Sequence, residues 1–156
     1  MSLTIGDALP DISLPATGDK TISLRDCRGQ ILVLYFYPRD DTPGCTQEGQ
    51  DFRDHFADFQ AKNALILGVS RDSVKKHEKF KLKYEFPFDL LADEEEKLCA
   101  IFDIVKAKNM YGKQVRGIER STFIFDKDGI LRHEWRKVKI PDHVKTVLAC
   151  VEALNQ

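Results

Sequence analysis

The run Ile31-Leu32-Val33-Leu34-Tyr35-Phe36-Tyr37 constrains the fold more than any other segment. It is continuously apolar, rich in β-branched and aromatic residues, and stopped by Pro38. A strand without polar alternation has both faces covered, as in a mostly parallel or mixed sheet with helices on either side. Leu65-Ile66-Leu67-Gly68-Val69-Ser70 reads as a second buried strand. Between the two, Phe52, Phe56 and Phe59 recur at the period of one amphipathic helix.

The rest of the chain extends this pattern. The Gly-, Pro- and Asp-rich opening, residues 6–29, reads as loops around short strands near 12–14 and 21–24. Ser73 caps a helix whose stripe is Val74, His77, Phe80 and Tyr84. A short strand near 87–91 and a short helix near 94–102 follow. Residues 121–125 and 130–135 flank Asp126-Lys127-Asp128-Gly129 as a hairpin. Asp142 caps a last helix that turns Val144, Val147, Leu148, Val151 and Leu154 inward. This order predicts an α/β chain of the thioredoxin-like kind, a central mixed β-sheet flanked by helices. With 156 residues and no linker or repeat, residues 1–156 are expected to form one domain.

Charge removes some partners. Lys and Arg number 24 and Asp and Glu 25, a net charge of −1, so neither nucleic acid nor an anionic membrane is an expected partner. Met1–Asp7 has no basic, apolar leader, and the longest apolar run is far too short to span a membrane. A cytoplasmic location is expected. The four cysteines, Cys27, Cys45, Cys99 and Cys150, form no Cys-x-x-Cys pair, and no His-x-x-x-His accompanies them. Zinc and a dithiol motif are therefore poorly supported, and a reducing cytosol argues against structural disulfides.

Chemistry concentrates in Pro38-Arg39-Asp40-Asp41-Thr42-Pro43-Gly44-Cys45-Thr46-Gln47-Glu48, between a buried strand and an amphipathic helix. Open α/β sheets place ligands at such strand ends. Thr42 is suited to the N-cap and Pro43 to the first helical position, which sets Cys45 in the first turn. There a thiolate meets unpaired backbone N–H groups and the positive helix end. The helix alone is too weak. Lowering a thiol pKa from ~8.5 to ~6 requires roughly 3.4 kcal/mol, and a helix end supplies ~0.3–1, or ~2 when partly buried. Asp40 and Asp41 oppose an anionic sulfur, so a cation from elsewhere is needed. Arg120, just before a strand in Gly117-Ile118-Glu119-Arg120-Ser121-Thr122-Phe123, is the best candidate. Its alternative is a surface arginine paired with Glu119 or another carboxylate.

The other candidates have plainer readings. Cys99 and Cys150 look like small apolar fillers on helices. Cys27 lies in a loop whose basic neighbours, Arg25 and Arg28, could activate it. His55, His77, His133 and His143 lack metal spacing and read as surface or cap residues. His133 or His143 as a base for Cys45 has no support from spacing.

Pro38-x-x-x-Thr42-x-x-Cys45 resembles the active-site signature of peroxiredoxins. Its extension Thr42-Pro43-Gly44-Cys45-Thr46-x-Glu48 is similar to the Q-type, or bacterioferritin comigratory protein, branch. The resemblance runs nearly the full length, through Gly6-Asp7-x-x-Pro10, Tyr35-Phe36-Tyr37-Pro38, Tyr111-Gly112-Lys113 and Gly117-Ile118-x-Arg120-Ser121-Thr122-Phe123. It implies a thiol peroxidase in which the Cys45 thiolate takes one peroxide oxygen and becomes a sulfenic acid. By the same resemblance, Thr42 and Gly44 contribute to the peroxide site. Arg120 stabilises the thiolate and the leaving oxygen, Pro38 shields the thiol, and Glu48 holds the arginine. No cofactor is implied, since no metal, flavin, haem or nucleotide signature is present.

The chain departs from that pattern at the second cysteine. Many Q-type chains carry it five residues after the first, here Gln50, and others on the following helix, here Lys81. The expectation is a one-cysteine enzyme, monomeric in the manner of Q-type chains, whose sulfenic acid is reduced by an external thiol: thioredoxin, glutaredoxin or glutathione. The alternatives are an unusual resolving role for Cys99, Cys27 or Cys150, and a redox sensor with little turnover. A general disulfide reductase is opposed by the missing Cys-x-x-Cys.

Overall fold

A computed structural model describes residues 3–155, apart from the Met110 side chain. Nine strands form among the described residues, in chain order: β1 (Ser13–Ala16), β2 (Lys20–Ser23), β3 (Ile31–Phe36), β4 (Ala64–Ser70), β5 (Asp89–Ala92), β6 (Val105–Met110), β7 (Lys113–Ile118), β8 (Ser121–Phe125) and β9 (Leu131–Arg136). The helices are α1 (Pro43–Asp54), α2 (Phe56–Ala61), α3 (Val74–Tyr84), α4 (Lys97–Phe102) and α5 (His143–Leu154). Seven strands build one mixed sheet in the order β2-β1-β5-β4-β3-β8-β9, while β6 and β7 pair apart from it. The β3 strand runs parallel to β4 and antiparallel to β8.

The apolar run becomes this inner strand because its alternate side chains have two cores to enter. Ile31, Val33, Tyr35 and Tyr37 pack with Phe52, Phe59, Phe80 and Val147, beneath α1, α2, α3 and α5. Leu32, Leu34 and Phe36 point the other way, toward Leu98, Phe102 and Phe123. Each such side chain, fully buried, stabilises the fold by about 1.5–3 kcal/mol. Gly49 lets α1 sit close to the core, since a Cβ there would lie 2.4 Å from the Phe86 ring.

Several local expectations are corrected. The phenylalanine helix is two helices, broken at His55, whose ψ of 7° ends α1. The break leaves Phe56 half-buried, while Phe52 and Phe59 meet in the core with ring centroids 5.9 Å apart. Ser73 does cap α3, its hydroxyl accepting from the Lys76 N–H at 3.2 Å. Asp142 precedes α5 but in a left-handed conformation, φ 63°, and its side chain makes no capping bond. Its backbone carbonyl takes the Thr146 N–H instead. The β6–β7 hairpin is an element the sequence pattern did not reveal. It turns at Tyr111 and Gly112, both at positive φ, as a two-residue turn of the primed type demands. Among the described residues no helix is long and apolar enough to cross a membrane.

Candidate active site

The sheet brings the two halves of the site together. The end of β3 delivers the chain into Pro38–Thr42 and then into α1, with Cys45 in its first turn. Ser121 of β8 pairs with Phe36 of β3, so Arg120, one residue earlier, stands beside that exit. Although 75 residues apart in sequence, Arg120 Nη2 lies 3.4 Å from Cys45 Sγ. Its Nη1 donates to Glu48 Oε1 at 2.6 Å. Gly44 makes room for this approach: a Cβ there would lie 3.2 Å from both Arg120 Nη2 and Ile140 Cδ1.

Both acidic partners of Arg120 are out of water. Cys45 is 2% exposed and Glu48 0%. Burial pushes the Glu48 carboxyl up to about 7, against the downward pull of Arg120. Its second oxygen, Oε2, and the hydroxyl of Tyr35 in the same core have no hydrogen-bond partner among the described residues. Burial and the Glu48 charge together raise the Tyr35 hydroxyl further. On the other side, His143 Nε2 meets the Thr122 hydroxyl at 2.8 Å. Burial, then the Arg120 charge, push this imidazole down to about 4. His143 is thus neutral near neutral pH.

A second network fixes the loop before Cys45. Asp40 accepts from the Tyr37 hydroxyl at 2.6 Å, and its other oxygen lies 2.6 Å from His77 Nδ1. His77 Nε2 faces the Leu91 carbonyl at 2.8 Å, and a carbonyl only accepts, so that nitrogen carries a hydrogen. The Asp40 N–H donates to Asp72. Removing His77 would leave the buried Asp40 carboxyl and the Leu91 carbonyl each short of a hydrogen-bond partner, at a cost of about 1–3 kcal/mol. His77→Leu is expected to lower unfolding stability by about that amount, read as a fall in denaturant midpoint. A loss within measurement error would show that the pair fixes nothing.

A cleft of about 820 Å³ opens beside the site, lined among others by Pro38, Arg120, Val138, Lys106 and Lys137. It reaches the residues flanking Cys45 but not the sulfur, which stays covered. The other thiols lie elsewhere. Cys27 and Cys99 belong to the core on the opposite face of the sheet, and Cys150 borders the core of Cys45. Burial pushes Cys27 up to about 11, with the Asp26 charge adding to it. Burial and then Asp93 raise Cys99, and burial raises Cys150.

Comparison with known proteins identifies the family. The AhpC/TSA family model matches residues 5–134. The chain belongs to the AhpC/TSA family. "Peroxiredoxin Bcp" of Bacillus subtilis is 49% identical over 156 residues, covering 100% of this chain and 99% of that one. A solved structure of the Xanthomonas campestris bacterioferritin comigratory protein, studied for its alkyl peroxide reduction activity, superposes with a TM-score of 0.91. That protein is 48% identical, and the match covers 96% of this chain and all of that one, 100%. A serine variant of Xanthomonas campestris peroxiredoxin Q is 49% identical with a TM-score of 0.90, covering 94% of this chain and 92% of that one. Another of its variants replaces a second cysteine, and the interval between the two, counted here from Cys45, falls on Lys81. The chain is therefore a peroxiredoxin of the Bcp, or Q, type and a thiol-dependent peroxidase.

In this peroxiredoxin Cys45, Arg120, Gly44 and Glu48 converge, and Pro38 and Thr42 flank them. Thr42 sits at the N-cap position of α1 with Pro43 following, but its side chain does not cap. Its hydroxyl donates instead to the Arg39 carbonyl at 3.0 Å. Asp40 and Asp41 do not face the sulfur unpaired, because Asp40 is taken by Tyr37 and His77, and Asp41 by Lys83 and Tyr84. Arg120 pairs with Glu48 rather than Glu119. His77 and His143 are buried rather than surface or cap residues. Cys27 ends a short 3-10 turn and is buried, so its basic neighbours do not activate it. Tyr35 was missed as a site residue, because a tyrosine in an apolar run reads as core. The expected position of a resolving cysteine on α3 holds Lys81, paired with Asp89 at 2.8 Å.

Proposed function

We propose that Cys45 is the nucleophile of this peroxidase and that it works as a one-cysteine enzyme, its sulfenic acid reduced by an external thiol. The 3.4 Å contact between Arg120 Nη2 and Cys45 Sγ carries the reading. A guanidinium there, with the α1 N-terminus, gives the sulfur the cationic surroundings that the helix alone is too weak to supply. The thiolate attacks the terminal oxygen of ROOH, the O–O bond breaks, and Cys45–SOH and ROH result. Arg120 is placed to steady charge on the leaving oxygen, Thr42 and Gly44 border the peroxide, and Pro38 limits access of water. The cleft at Pro38 and Arg120 has room for an organic hydroperoxide or for a small thiol.

Regeneration uses one thiol to displace water from Cys45–SOH and a second to release the disulfide. Thioredoxin, glutaredoxin and glutathione all fit this chemistry, and the four free thiols suit a reducing, cytoplasmic setting. A monomer is in keeping with the Q-type resemblance. The one-cysteine reading is supported by Gln50 and Lys81 at the two positions where a resolving cysteine is expected. It is also supported by the sheet that stands between Cys45 and both Cys27 and Cys99, since a disulfide needs Cα atoms within about 7 Å. Non-reducing peptide mapping after one equivalent of hydrogen peroxide is the test. The expected map has no cross-linked cysteine peptide. A Cys45 peptide joined to Cys27, Cys99 or Cys150 would overturn the one-cysteine mechanism and leave the peroxidase intact.

A further inference from the structure

Two acids share a single cation at the heart of the site. Arg120 touches Glu48 Oε1 and Cys45 Sγ, both acids are almost fully buried, and they stand one helical turn apart on α1. If both ionised, the cluster would hold two negative charges against one guanidinium away from water, which low-dielectric surroundings disfavour strongly. If only one ionises, the cluster is neutral. The free Oε2 of Glu48 sharpens this, because a carboxylate would leave that oxygen's charge unpaired.

No nearby group relieves the imbalance. From β3 the facing titratable group is Tyr35, which offers no positive charge. From its own helix, Cys45 shares Arg120 with Glu48, and the Asp51 charge adds to the negative side. From α5, His143 is kept neutral by burial and by Arg120 itself. Arg120, just before β8, is the one cation the carboxyl contacts among the described residues.

We propose that Glu48 and Cys45 hold one proton between them across Arg120: the thiolate exists when Glu48 is neutral, and Glu48 ionises as the peroxide O–O bond breaks. This rests on Cys45 being the nucleophile. Before the step the cluster is thiolate, neutral carboxyl and guanidinium. Sulfur then forms a bond to the terminal peroxide oxygen and is oxidised by two electrons, and the O–O bond is reduced. The leaving RO⁻ becomes ROH, and the proton given up by Glu48 balances the one it takes. After the step the cluster is sulfenic acid, carboxylate and guanidinium, again neutral. When the external thiol restores Cys45–SH, the proton returns to Glu48 and the thiolate re-forms. Glu48 acts here through Arg120, as a positioning residue that also stores a proton.

The measurement is proton uptake during a single oxidation. Reduced protein is mixed with hydrogen peroxide in weakly buffered indicator solution near neutral pH, while thiolate absorbance is followed. The wild type is expected to lose its thiolate with close to zero net protons taken up, and Glu48→Gln to take up about one proton per thiolate lost. Uptake of about one proton by the wild type would overturn the proposal, and that arm needs no variant to fold. Equal uptake by wild type and Glu48→Gln would also overturn it, because an amide that merely orients Arg120 makes no difference to the balance. Loss of the same thiolate signal in Cys45→Ser would instead sink the assignment of Cys45, which separates the two failures.

Discussion

Cys45→Ser is expected to lose peroxide consumption by at least about a thousandfold, measured as turnover with excess dithiol. A serine hydroxyl does not ionise near neutral pH and cannot accept the peroxide oxygen. The remaining thiols are poor substitutes on physical grounds. Cys27, with a pKa pushed up to about 11, has a thiolate fraction of roughly one in ten thousand at neutral pH. Cys99 is fully buried beside Asp93, which raises it as well. Cys150 is half-buried on α5, and burial raises its thiol too. Retention of even a tenth of the activity in Cys45→Ser, with the variant folded, would mean that another thiol carries the reaction.

The second large effect belongs to Arg120. Arg120→Ala is expected to slow oxidation of Cys45 by about 10²–10³-fold, the magnitude typical of losing one preorganised donor to developing charge. Part of that loss comes from Glu48, which would then be buried with no cation at all. Arg120→Lys separates charge from geometry. A lysine supplies one point charge but not the fork that reaches Cys45 and Glu48 together, so an intermediate rate is expected. Rapid-mixing kinetics with hydrogen peroxide at neutral pH give both values. A lysine variant as fast as wild type would show that charge alone suffices.

The architecture was legible wherever burial imposed a pattern. The residues of β3 and β4 read as buried strands because no polar residue interrupts them, and both are inner strands of the sheet. The stripe of α3 read correctly through His77 and Phe80, both buried. The β6–β7 hairpin was illegible for the complementary reason. Its strands, Val-Lys-Ala-Lys-Asn-Met and Lys-Gln-Val-Arg-Gly-Ile, are largely exposed and carry little apolar alternation, and its pairing is set by backbone and turn. The helix break at His55 was hidden because Phe52, Phe56 and Phe59 satisfy one helical period whether or not the backbone is continuous.

The site divides in the same way. Cys45 announced itself through Pro43 and the strand-to-helix junction, which are local features. Its need for a cation followed from magnitudes, and Arg120 was found at the end of the strand that pairs with β3. What sequence could not give was the other side of each contact. Asp40 and Asp41 looked hostile to a thiolate because Tyr37, the one partner near them in sequence, reads as core and the others lie far along the chain. Their partners His77, Lys83 and Tyr84 come from α3. Likewise, burial of both Glu48 and Cys45 around one guanidinium is a property of packing, and the spacing of the two residues along α1 only permits it.

The most direct test of the central claim is a hydrogen peroxide titration of the fully reduced protein, read by intact mass with a sulfenic-acid trap. A single trapped adduct at Cys45, with many turnovers once dithiol is supplied, is the result expected of a one-cysteine peroxidase. An adduct at any other cysteine, with Cys45 left unmodified, would contradict it.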